Sequence, residues 1–213
     1  MGRKVGVTSE QTRAELLIAA AEIFAQKGYD GASISDITRE SGLSSGAIYS
    51  HYGSKAGLFF AVVEERGRQE FTDLVGADHL DTYSELNQHV ADISEFLTLA
   101  GAALDIESPI DSPLMVEAIV ASKQHAEVAE LVSTWFVDGE GLIADTIRDE
   151  QESGTLAADV DAEAVARLTT FLTLGARIAG VMDLPDVDRD GWSSLISRLV
   201  GSLRPEPVDQ SAT

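Results

Sequence analysis

The 213-residue chain has no cysteine, which excludes disulfide staples, thiolate metal ligands and cysteine nucleophiles. It has only five prolines, no Asn-Gly hairpin signature and no sustained alternation of apolar and polar residues, so strands are disfavoured and the reading is helical almost throughout. Basic residues are scarce: 15 Lys plus Arg against 36 Asp plus Glu give a formal net charge of −21. Most of such a surface repels a polyanion, which argues against a basic nucleic-acid binder and a polybasic membrane-surface protein. The longest apolar stretch, residues 168–182, is interrupted by Arg177 and too short to span a bilayer. No secretory signal is legible, since Arg3 and Lys4 lead into Ser9, Glu10 and Gln11 rather than an apolar run. These absences predict a cytoplasmic protein with no membrane partner.

What is present is enough apolar material for a core, 44% of residues with a mean hydropathy of +0.02. The acidity is also uneven. Residues 1–70 hold 8 basic and 9 acidic groups, net −1, whereas residues 71–213 hold 7 and 27, net −20. A nearly neutral module is attached to an acidic body.

Within that module, Thr8 and Gln11 have the spacing of a capping box, Leu16, Ala20, Ile23 and Phe24 form an apolar stripe, and Gly28 supplies a left-handed stop before a short loop at residues 29–32. Ser33 with Asp36 three residues on opens a second helix, and Gly42 with Leu43 turns the chain. Ser44 restarts a short helix carrying Ile48, Tyr49, His51 and Tyr52. Gly53 stops it, and Ser54 caps a longer helix reaching about Val75. Two short helices joined by a tight glycine turn are a helix-turn-helix.

The run from Tyr29 to Leu58 carries Asp36-Ile37, Gly42-Leu43-Ser44, Gly46-Ala47-Ile48-Tyr49-Ser50-His51-Tyr52 and Ser54-Lys55. It strongly resembles the DNA-binding signature of the tetracycline-repressor (TetR) family of transcriptional regulators. The resemblance implies base-edge contacts from Ser35, Ser45, Gly46, Ala47 and Tyr49 and phosphate contacts from Tyr49, His51 and Lys55, with hydroxyl and helix N-terminal donors added at Ser33 and Ser44. Ser45 and Gly53 depart from the common family pattern. No Arg, Asn or Gln lies on residues 44–52, so specificity rests on hydroxyls, a thymine-methyl contact by Ala47, ordered water and duplex shape. Arg3 and Lys4 form either an auxiliary arm on the DNA or a solvated tail. Arg39 either binds phosphate or pairs with Asp36 or Glu40. Tyr52 reads as core.

Further helices are expected at residues 81–104, 114–124, 126–153, 162–182 and 189–203, followed by a tail at 205–213. In the last two helices Leu168, Leu172, Gly175, Ala176, Ala179, Trp192, Leu195, Ile196 and Leu199 exceed what one core face needs, which predicts a four-helix homodimer interface. The resemblance implies the same arrangement, with two recognition helices set for a palindromic operator. It also implies a small-molecule effector in the body, for which Phe96, Met115, Trp135, Phe136 and Phe171 are the apolar candidates. A neutral or cationic effector suits an acidic body.

Two other motifs carry less. Gly139-Glu-Gly-Leu-Ile-Ala144 fits a dinucleotide fingerprint, but Val128, Leu131, Trp135, Leu142, Thr146 and Ile147 keep helical spacing through it. Glu85, His89 and Asp92 share a helix face on which a solvated surface outranks a metal site. No nucleophile elbow or carboxylate dyad appears, so no enzyme activity, metal or cofactor is expected. The sequence therefore predicts an all-α chain. A DNA-binding domain of three helices, with its helix-turn-helix, occupies residues 1–55, and a ligand-binding and dimerisation domain occupies 56–204. The predicted function is that of a repressor released from its operator by an inducer. The alternative is an acidic helical ligand-binding or adaptor protein with a non-functional helix-turn-helix.

Overall fold

The computed structural model describes residues 8–75, 93, 112–182, 184, 185 and 187–205. Among them the regular elements are eight α-helices, with no strand: α1 (Ser9–Gly31), α2 (Ile34–Ser41), α3 (Ser45–Tyr52), α4 (Lys55–Val75), α5 (Ser112–Ala121), α6 (Ala126–Glu152), α7 (Ala162–Val181) and α8 (Arg189–Gly201). Apart from Ile93, the expected helix at 81–104, with Phe96 and the Glu85, His89 and Asp92 face, lies outside the described residues, as do Arg3, Lys4 and most of the tail.

The helix boundaries follow the polar side chains that satisfy otherwise orphaned backbone donors. At α1, the Gln11 N–H donates to Thr8 Oγ1 (3.1 Å) and the Thr8 N–H donates back to Gln11 Oε1 (2.9 Å). At α2 the Asp36 N–H donates to Ser33 Oγ (3.1 Å), while the Ser33 N–H and O–H both donate to Asp36 Oδ2. Ser44 Oγ accepts from the Ala47 N–H at α3, and Ser54 Oγ accepts from the Gly57 N–H at 2.9 Å to start α4. Gly42 closes α2 in the left-handed region, φ 69°.

Gly28 has φ 67°, as its role of stop required, but helical geometry resumes after it and runs to Gly31. The residues read as a loop therefore form a kinked extension of α1, which turns Tyr29 into the core. Gly57 is required for a different reason: a Cβ there would lie 2.1 Å from the Tyr52 carbonyl oxygen, so only glycine lets α4 start this close to the end of α3.

The chain divides into two compact units. The first comprises Met1–Gln69 and Asp111–Thr134, and the second Glu70–Ile110 and Trp135–Thr213. In the first, Leu16, Phe24, Ile37, Ile48, Leu58 and Phe59 are fully buried, and one inward residue from each of α2 and α3 roots the helix-turn-helix. Phe59 meets Phe24 edge-on at 4.8 Å and Tyr29 at 5.0 Å. The start of α4 and the whole of α5 belong to this unit, so its packing extends past residue 55.

The core of the second unit joins Ile93, Ala144, Ile147, Leu156, Val165, Ala166, Ile196 and Val200. The turn before α7 is fixed by Gln151, whose amide donates to the carbonyls of Ala157 and Val160, and by the Ala157 N–H donating to the Leu203 carbonyl (2.8 Å). Gly139 to Ala144 lie inside α6, which removes the strand and turn that a phosphate-binding fingerprint needs. Helix α7, at 20 residues, is longer than the apolar stretch read from sequence and is long and apolar enough to cross a membrane by length and composition. Its Arg167 is nevertheless paired with Glu140 of α6, Nε to Oε1 2.6 Å.

Replacing Gly28 by alanine forces a side chain into the left-handed region and should cost about 1–3 kcal/mol, with Gly57→Ala costing more because its clash is with backbone. Urea denaturation of the two variants measures both.

Candidate nucleic-acid interface

Ile48 is fully buried and anchors α3, so the remaining faces of that helix are set by its register. Ser44, Ser45, Gly46 and Ser50 are exposed, Tyr49 is 53% exposed, and Ala47 and His51 are half-buried. The first turn thus presents only small groups and backbone to solvent, which permits close approach to base edges. Ser33 and Ser35 are exposed at the start of α2. The Ser33 hydroxyl donates to Asp36, so its first role is the cap. Ser44 Oγ is an acceptor in its cap, which leaves the hydroxyl hydrogen to be donated outward. Tyr52, read as core, donates its O–H to the Arg13 carbonyl at 3.0 Å and ties the end of α3 to α1, and burial raises its pKa.

Asp36 organises the charges beside this surface. Its Oδ1 lies 2.9 Å from Lys27 Nζ and 2.5 Å from Arg39 Nη2. The hydrogen bond from Lys27, followed by that from Ser33, holds the Asp36 carboxyl well below the usual carboxylate range. Of the two options left open for Arg39, the structure has the pairing with Asp36. Lys55 is half-buried with Nζ 4.3 Å from the centroid of the Tyr29 ring, and burial lowers its pKa while Asp30 opposes that shift.

Two features were missed in reading the sequence. Ser50 is exposed on α3 between Tyr49 and His51 and is a further polar group on the same helix. More important, no Asp or Glu occurs between Glu40 and Glu64, a stretch that spans the turn, α3 and the start of α4 in a chain with 36 carboxylates. Plain inspection of carboxylate positions reveals it, but averaging charge over 70 residues hides it.

The other expected sites fare unequally. Met115 is buried in the core of the first unit, and Trp135 and Phe136 are half-buried with rings edge-on at 5.1 Å. Phe171 is 61% exposed, so within one chain it does not wall a cavity. On α7 and α8, Leu168, Leu195 and Leu199 are each about half exposed, Gly175 is exposed, and Ala176 and Ala179 are half-buried. Leu172 and Trp192 pack against the second unit's core. Ile196 is corrected: it is 1% exposed, because one residue's step from Leu195 turns it about 100° into that core, out of a partner's reach.

Residues 16–62 match the model for the tetR family of bacterial regulatory proteins. The HTH-type transcriptional regulator UidR of Escherichia coli K12 is 25% identical over 170 residues, 78% of this chain and 80% of UidR. The HTH-type transcriptional repressor AcnR of Corynebacterium jeikeium is 26% identical over 165 residues, 78% of this chain and 79% of AcnR. A regulator-like protein from Saccharomonospora viridis solved in complex with choline has a similar fold, with a TM-score of 0.61 and 20% identity, covering 90% of this chain and 96% of that one.

The depressed pKa of Asp36 fixes the sign of a pH effect. Its contribution to stability is full above the unfolded value of about 3.9 and is lost as pH falls from there toward the folded value. The gap in urea midpoint between the wild type and Asp36→Asn should therefore be constant near neutrality and close below about pH 4.

Proposed function

The chain belongs to the TetR family of DNA-binding transcriptional regulators, and from that premise we propose that it is a homodimeric repressor that reads a palindromic operator with two copies of α3 and is released by a small-molecule inducer. The observation that carries the reading is the surface of α3, rooted by Ile48, small in its first turn and set in a stretch free of carboxylates. In this reading residues 1–55 recognise DNA, with Ser35, Ser45, Gly46, Ala47, Tyr49 and Ser50 toward base edges and Tyr49, His51 and Lys55 toward phosphates. Ser33 and Ser44 contribute caps and helix N-terminal donors. Residues 56–204 dimerise and bind the effector in the cytoplasm.

The exposed stripe formed by Leu168, Phe171, Gly175 and Ile178 of α7 and by its C-cap Met182 supports the dimer, together with Leu195 and Leu199 of α8. The spacing keeps the four α7 positions on one side, and an apolar face of this kind is costly to leave in water. Phe171 accordingly moves from the effector list to the interface. A partner subunit also accounts for the hydropathy of α7 without a membrane. Repression follows the role named for AcnR, and an effector that is neutral or cationic is supported by the excess of carboxylates and by the choline held by the Saccharomonospora protein.

Fluorescence anisotropy against fragments from upstream of the chain's own gene tests the reading. One fragment should bind specifically at low salt, with protected half-sites about 34–36 Å apart, or multiples of a helical turn. Absence of any specific complex would sink it. Leu168→Glu combined with Leu199→Glu should give monomers by sedimentation and weaken operator binding by at least about tenfold, since one half-site cannot hold a monomer as two hold a dimer.

A further inference from the structure

The segment comprising α5 and the first turn of α6 reaches the DNA-binding helices through three side chains. Glu117 Oε1 accepts the Tyr29 N–H at 2.7 Å, just after the kink at Gly28. His125 Nε2 lies 2.7 Å from Asp30 Oδ1, and its ring meets the Tyr29 ring edge-on at 4.8 Å. Glu127 accepts a hydrogen bond from the Ser54 hydroxyl, the same group that caps α4. These contacts converge on the end of α1 and on the junction between α3 and α4. Between them stands the Tyr29 ring, in contact with the Lys55 ammonium, the His125 edge and Phe59.

A lysine is a point charge on a flexible stem and gains nothing from geometry unless something holds it. Here the holder is an aromatic face whose own orientation is set from α5 and α6. We propose that Glu117, His125 and Glu127 are positioning residues for DNA binding: acting through Tyr29, Asp30 and Ser54, they fix where Lys55 and the first turn of α4 stand relative to α3. The inference rests on the operator-binding reading above. It adds residues more than 60 positions distant from the recognition helix to the determinants of affinity. The His125 side chain is 36% exposed and Asp30 63%, so neither can be removed only at the expense of a core cavity.

The test is a double-mutant cycle in the full-length dimer, read as operator affinity by anisotropy, with thermal midpoints measured alongside. His125→Ala should weaken operator binding about three- to thirtyfold. In a Lys55→Met background the same substitution should add less than about twofold, because the group it positions is gone. Wild-type affinity for His125→Ala, or an equal loss in both backgrounds, would overturn the proposal. If His125→Ala fails to fold, Asp30→Ala breaks the same contact from the other side and must weaken binding in the same sense; unchanged affinity overturns the idea equally. A wild-type chain that binds no operator would remove the parent reading as well. Wild-type binding with unaffected variants removes this one alone.

Discussion

A chain carrying a net charge of −21 can hold a polyanion only if its own carboxylates are kept out of the contact surface, and the arrangement of the N-terminal unit follows from that constraint. Asp36, the carboxylate in the first turn of α2, is paired internally with Ser33, Lys27 and Arg39. From residue 41 to 63 there are none. The same carboxylate pairs with Lys27 and Arg39, and in the proposed reading attraction to DNA comes from helix N-termini, hydroxyls and Lys55. That division of labour favours contacts that depend on position over contacts that depend on accumulated charge.

Position is supplied by packing. Gly28 kinks α1 so that Tyr29 enters the aromatic group with Phe24 and Phe59, and Gly57 lets the end of α3 sit against the start of α4. Ile37 and Ile48 root the two motif helices in the same core. With Tyr52 bonded to the Arg13 carbonyl, α3 is held from its buried face and from its C-terminal end, while its first turn is left bare. The body solves a different problem, since α7 and α8 each divide their apolar residues between the second unit's core and an exposed stripe.

Most of this was legible where a local rule decides the outcome. Caps at Thr8, Ser33, Ser44 and Ser54 and the helix ends at Gly42 and Gly53 are fixed by hydrogen bonds three residues apart or by one backbone angle, and the structure has all of them, whereas Gly28 kinks α1 rather than ending it. Long-range contacts were not legible. Tyr29 was placed in a loop because nothing nearby in sequence announces Phe59, His125 or Lys55 as its neighbours. Ile196 was assigned to the partner because helical spacing groups it with Leu195, and only the packing of Val165, Ala166 and Val200 shows which of the two faces inward. Phe171 was read as a pocket residue from its type, whereas its exposure places it with Leu168.

The salt dependence of operator affinity tests most directly whether position rather than charge carries the binding. In the proposed reading Lys55 is the one lysine or arginine of each subunit set toward phosphate; counting Arg3 and Lys4 as an upper bound, the dimer neutralises at most about six phosphates, and the slope of log K against log salt should be no steeper than about −5.4. A slope near −10 would mean that many more cations reach the duplex, and would contradict the account.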